Sequence, residues 1–190
     1  MAKRLIIGVS GASGAPLALK LLREIKKVED VEAHLVISRG GQMTIEEECD
    51  ISLEEFKSLA DVCYDNANIG ASIASGTYKT LGMIICPCSM KTVAGIAHGY
   101  SDNLLLRAAD VVLKEQRKLV LVTRESPLSK IHLDNMAYLA SLPSVFILPP
   151  VISYYSHPKS LEDVERQIVG RILDRFDIDV GLKRWNPQGD

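Results

Sequence analysis

The stretch Arg4–Leu22, RLIIGVSGASGAPLALKLL, constrains this chain more than any other. Leu5 to Val9 is a short apolar run of the kind a fully buried strand shows, Ser10–Gly14 is a glycine and serine turn, and Leu17, Leu21, Leu22 and Ile25 then recur at helical spacing. Strand, glycine turn and helix together form a unit suited to phosphate. Gly11 and Gly14 let the backbone approach a ligand, Pro16 fits a first helical turn where its missing N–H costs nothing, and free amides at a helix start favour an anion. The spacing is Gly-x-x-Gly-x-x-Gly rather than the Gly-x-Gly-x-x-Gly of dinucleotide binding. A plain strand-to-helix turn, with Ser13 as the helix cap, explains the same residues.

The pattern recurs along the chain. Glu32–Ser38 reads as a second strand, with Arg39-Gly40-Gly41 turning the chain at its carboxyl end. If Thr44–Asp50 is helical, Glu46, Glu47 and Glu48 point about 100° apart, so only one can face a cleft. Ser52–Ala60 reads as a short amphipathic helix and Asp61–Lys79 as a long connection with one helical turn at most. Leu81–Cys86 is a third strand, and Pro87-Cys88-Ser89-Met90-Lys91-Thr92 follows it into a small-residue helix, so Ser89 and Thr92 stand at a second helix start either as caps or as ligand groups. In the helix Asn103–Gln116, Arg107 and Lys114 share one face, which suits a phosphate, a snorkelling pair or an ion pair with Asp110. Leu119–Thr123 delivers Arg124-Glu125 to the same edge, Val145–Leu148 is the last strand, and a helix runs from Leu161 to about Phe176.

Strands alternating with helices predict an α/β, Rossmann-like three-layer sandwich with a mostly parallel sheet of about five or six strands and the ligand above its carboxyl edge. With 190 residues, 47% of them hydrophobic, and no linker or repeat, residues 1–185 are expected to form a single domain followed by a polar tail, 186–190. A net charge of -2 without a basic stripe argues against nucleic acid, and no run approaches the ~20 apolar residues of a membrane span. The chain is therefore expected in the cytoplasm. Its four cysteines show no disulfide framework, and its four histidines show no ligand spacing, so no metal site is expected.

Taken together, GVSGASGA, CPCSMKT, the run DNLLLRAADVVLKEQRKLVLVTRESPLSKIHLDNM and YYSHP followed by a helical arginine resemble the UbiX-type flavin prenyltransferases, over about Lys3 to Trp185. This family includes the small proteins formerly described as components of phenolic acid or hydroxybenzoate decarboxylases. The resemblance implies a metal-independent transferase that joins a dimethylallyl group from dimethylallyl phosphate to N5 and C6 of reduced FMN. The product is prenylated FMN, the cofactor of UbiD-type decarboxylases. By motif position it implies that Gly11, Ala12, Ser13, Ser38, Ser89, Met90, Lys91, Thr92 and Arg124 hold FMN. Lys114, Tyr155 and Arg171, with Arg107 nearby, would meet the prenyl phosphate, and Ser13, Glu48 and Glu125 match the active-site serine and glutamates. Tyr155 is preferred to Tyr154 because it directly precedes the turn to Pro158. The family also implies a homo-oligomer, a dodecamer, with sites shared between subunits.

Preorganised cations stabilise the charge that gathers on phosphate as an allylic C–O bond breaks. Glu125, if burial raises its pKa, can protonate the departing phosphate, while a base must later take the flavin C6 proton. Three other readings compete. A short-chain dehydrogenase would use Tyr155 and Lys159, but Pro158 interrupts the helical turn that such a pair requires. Flavin-containing cysteine decarboxylases carry Pro-Ala-Ser-Ala-Asn-Thr where this chain has Pro-Cys-Ser-Met-Lys-Thr. An FMN-binding accessory subunit differs from an enzyme only in turnover.

Overall fold

The computed structural model describes residues 2–185, so the expected tail, 186–190, lies outside the described residues. Six strands form one parallel sheet: β1 (Lys3–Val9), β2 (Val31–Ile37), β3 (Val62–Tyr64), β4 (Gly82–Cys88), β5 (Lys118–Thr123) and β6 (Val145–Ile147). Their spatial order is β3-β2-β1-β4-β5-β6. The order reverses between β1 and β4. In an open α/β sheet the crevice outside the carboxyl ends at such a reversal takes the ligand.

Side chains of β1 divide between the two faces as the period of a strand requires. Leu5, Ile7 and Val9 enter one core with helices α1 (Ala15–Ile25), α2 (Arg39–Glu48), α3 (Leu53–Lys57) and α7 (Leu161–Leu173). Ile6 enters the other, with Met83 and Ile85 of β4 and helices α4 (Met90–Ala97), α5 (Leu104–Lys114) and α6 (Lys130–Ala140). Each fully buried aliphatic side chain contributes about 1.5–3 kcal/mol, which is why the central strands are apolar on both faces.

Three sequence expectations change. The connection 61–79 contains β3, a three-residue edge strand hidden from pattern reading because Val62 and Cys63 remain exposed, and a single 3-10 turn at Ser72–Ala74. Arg39-Gly40-Gly41 is not a turn but the first turn of α2, started by the Ser38 hydroxyl accepting from Gly41 N–H at 3.1 Å. Helix α6 has no counterpart among the sequence expectations: of its residues only Asn135 and Leu139 are buried, so it carries no apolar stripe to betray it.

Candidate active site

The turn after β1 is locked from two sides. Ser10, buried, donates its hydroxyl to the Pro87 carbonyl at 3.0 Å and accepts from Ser89 N–H at 2.8 Å, stapling the ends of β1 and β4 together. Gly11 meets Gly40 of α2 so closely that a Cβ on either would stand 2.9–3.0 Å from the other's Cα. Only two residues without side chains permit that approach.

At the start of α1 the sequence expectation is corrected. Ser13 does not cap the helix; the cap position is Gly14, at φ 118°, and no side chain from the turn bonds the first amides. Glu48, at the end of α2, accepts from Gly14 N–H at 2.7 Å and Ala15 N–H at 2.9 Å. The helix start thus already holds an anion, supplied by the chain itself. Burial alone would raise the Glu48 pKa, but the Gly14 amide, the Ser13 hydroxyl, the Ala15 amide and the Arg124 charge outweigh it and hold the carboxyl below its ordinary value. Glu48 is therefore ionised at neutral pH, fit to stabilise a cation but not to act as an acid.

The free amides lie one strand away on either side of β1. Helices α2 and α4 both begin at the carboxyl edge, capped by Ser38 and by Ser89, whose hydroxyl accepts from Thr92 N–H at 3.3 Å. Each cap takes the third N–H of its helix, and the N–H groups of Arg39, Gly40, Met90 and Lys91 find no partner among the described residues. Both starts open into one cleft of about 370 Å³, which Gly11, Arg39, Lys91 and Asn66 also line. Helix α5 begins there too, but Asn66 and Asn103 occupy its first amides: Leu104 and Leu105 N–H donate to Asn66 and Leu106 N–H to Asn103. Two open helix starts, two hydroxyls and two cations form a donor set that fits the phosphate and hydroxylated chain of FMN.

A second cleft, of about 290 Å³, opens past the end of β6 on the same edge of the sheet. Ile147, Leu148 and Pro149 give it apolar walls, while Tyr155 and Arg171 bring a hydroxyl and a cation. Tyr155 lines this cleft, whereas Tyr154 is 77% exposed beside it. Trp185 sets its ring edge-on to Tyr155 with centroids 5.5 Å apart. From β1 to β6 is three strand spacings, about 14 Å. Arg124 spans part of that gap, its Nε donating to the Ser13 carbonyl at 3.3 Å.

Other expected residues are placed differently. Glu125 follows β5 on the correct edge but is exposed, accepting from Ser126 N–H at 3.0 Å, so one protomer does not supply the burial that an acid role asks of it. Arg107 pairs with Asp110 at 2.7 Å in the first turns of α5. Lys114 ends that helix, beside Gly76 and paired with Glu115 at 2.7 Å, at the amino-terminal edge of the sheet and away from both clefts of its own chain. Among the described residues no group of His, Cys, Asp and Glu side chains has the arrangement of a metal site. Pattern reading does not single out Asn66 or Gln167. Asn66 has no motif around it, while Gln167 sits four residues before Arg171 on α7 and betrays itself only as a buried polar residue.

The chain matches a family model described as Flavoprotein over residues 1–173. It is 53% identical over 176 residues to the flavin prenyltransferase UbiX of Escherichia coli (strain K12), covering 93% of each chain. Among solved structures, AnUbiX (PadA1) in complex with FMN and dimethylallyl pyrophosphate superposes with a TM-score of 0.96 at 43% identity, covering 100% of both chains. A dodecameric FMN-dependent UbiX-like decarboxylase from Escherichia coli O157:H7 superposes with a TM-score of 0.94 at 47% identity, covering 96% of this chain and 99% of the other. The fold is thus that of known UbiX-type structures, and this chain is a member of the UbiX-type flavin prenyltransferase family.

Proposed function

We propose that this protein joins the dimethylallyl group of dimethylallyl phosphate to N5 and C6 of reduced FMN without a metal ion, releasing prenylated FMN to a UbiD-type decarboxylase. One observation carries the reading: a single sheet edge holds two anion clefts of different character, one lined by open helix starts and hydroxyls, the other by apolar walls around one arginine and one tyrosine. The first suits the phosphate and polyol of a flavin mononucleotide, the second a small apolar phosphate ester.

In this reading Gly11, Ala12, Ser13, Ser38, Ser89–Thr92 and Arg124 hold the flavin, and Tyr155 and Arg171 hold the donor phosphate. The Arg171 guanidinium is worth more as the C–O bond breaks, because the departing phosphate then carries more charge. Glu48, held ionised, sits where it can stabilise positive charge arising near Ser13. Glu125 hands a proton to the departing phosphate once another copy covers it, and that copy also brings Lys114, which its own protomer points away from both clefts. Residues 1–185 form a single domain, the assembly is a dodecamer like that of the decarboxylase-named relative, and the location is cytoplasmic, where Cys49, Cys63, Cys86 and Cys88 stay reduced.

Anaerobic incubation with reduced FMN and dimethylallyl phosphate, followed by mass spectrometry of the flavin, tests the activity. Gain of one C5 unit by the flavin is expected. Bound but unaltered FMN, in parallel with a reacting relative, contradicts the transferase and identifies an FMN-binding accessory subunit.

A further inference from the structure

We propose that Gln167 is a positioning residue for the donor phosphate, acting by fixing the direction in which Tyr155 points its hydroxyl proton. The inference rests on the reading that Tyr155 and Arg171 hold that phosphate. Gln167 lies on α7, one helical turn before Arg171, and is buried to 8% exposure, unusual for a polar side chain with no charge to neutralise. Its Nε2 makes two contacts, with the Lys183 carbonyl at 3.2 Å and with the Tyr155 hydroxyl at 3.2 Å.

Those two contacts together determine the polarity of the network. A backbone carbonyl only accepts, so the atom of the amide facing Lys183 must be the NH2 group; turning the amide over would set oxygen against oxygen. An NH2 group only donates, so the Tyr155 oxygen is the acceptor in the second contact. The Tyr155 hydroxyl proton is thereby excluded from the Gln167 side and is left for a partner in the cleft that Arg171 also lines. With the ring held edge-on by Trp185, Tyr155 presents a donor to an anion at that place. Were the side chain at 167 an acceptor, the tyrosine would spend its proton on it and turn lone pairs toward the phosphate. The segment after α7 therefore contributes to the donor cleft indirectly, through the carbonyl of Lys183 and the ring of Trp185.

A double-mutant cycle separates this role from simple packing. Tyr155→Phe, Gln167→Met and the double variant are compared with the parent for KM and kcat toward dimethylallyl phosphate and for FMN affinity. Each single change is expected to raise the KM for dimethylallyl phosphate about ten-fold, the scale of one hydrogen bond to a charged group, with FMN affinity unchanged. The double variant is expected to be no worse than Tyr155→Phe alone, because without the hydroxyl there is nothing for Gln167 to orient. Effects that multiply to about a hundred-fold overturn the inference while leaving Tyr155 in the cleft. A Tyr155→Phe protein with unchanged KM overturns the cleft assignment itself, and the inference with it. Loss of FMN affinity in both Gln167→Met and the narrower Gln167→Leu shows a general packing role and likewise overturns it.

Discussion

The carboxylate of Glu48, the last residue of α2, accepts the N–H of Gly14, the residue that starts α1, at 2.7 Å. One bond therefore joins the ends of two helices across the turn that follows β1. It also decides where a phosphate cannot bind, because the first helix start is already neutralised and an external anion is left to α2 and α4.

A single Glu48 oxygen, Oε2, already serves both amides, so replacing Glu48 by Gln can keep an oxygen at that place but removes the charge that the two N–H groups face. Stability is expected to fall by about 1 kcal/mol, the usual worth of a helix cap, measured as a shift in urea midpoint at unchanged slope. The loss has a pH signature. Since the folded pKa of Glu48 lies below its ordinary value, its contribution is present above that ordinary value and disappears as pH falls through the folded one, so parent and Glu48→Gln stabilities should converge in acid.

Gly40→Ala puts a methyl group 3.0 Å from the Gly11 Cα, backbone against backbone, where nothing yields without moving the turn. Overpacking of this kind costs about 1–3 kcal/mol. Because the same turn lines the first cleft, FMN affinity should drop about ten-fold or more, read by quenching of flavin fluorescence. Unchanged FMN affinity would contradict the placement of the flavin at Gly11.

The strands β1, β2, β4, β5 and β6 are legible in the sequence because each is apolar on both faces, and the turns that follow them can be assigned to one edge once the strands are known. What pattern reading does not reach are contacts between segments distant in the chain. Nothing local at Glu48 distinguishes it from Glu46 or Glu47; its role depends on α2 ending beside Gly14, thirty-four residues earlier. The α1 start looks open in the sequence for the same reason. Lys114 and Arg107 share a helix face, yet seven residues of helix set them about 10 Å apart along its axis, with Lys114 at its last residue, a separation that spacing on a face conceals. Gln167 is recognisable only after Tyr155 and Lys183 are seen around it.

His34, buried in β2, bonds the Tyr64 hydroxyl through Nδ1 at 2.8 Å and leaves Nε2 3.6 Å from a Glu32 carboxylate oxygen without a hydrogen bond. Burial lowers its pKa, against the pull of Glu32 and with a smaller contribution from the Arg4 charge. The unfolded chain therefore binds a proton first, so stability should fall as pH drops below about 6.5, before ordinary carboxylates titrate. Urea midpoints taken between about pH 7 and pH 5.5 should decline in the parent and decline less in His34→Leu. Equal slopes in the two proteins would mean that His34 titrates alike in the folded and unfolded chains.

The central claim is the division of one sheet edge into a flavin cleft at α2 and α4 and a donor cleft at Tyr155 and Arg171. Parallel titration of Arg171→Ala with FMN and with dimethylallyl phosphate tests it most directly. A charged phosphate contact is worth about 1.5–3 kcal/mol, so donor capture should weaken about ten-fold or more while FMN binds as it does to the parent. Loss of FMN binding with donor affinity intact would contradict the division.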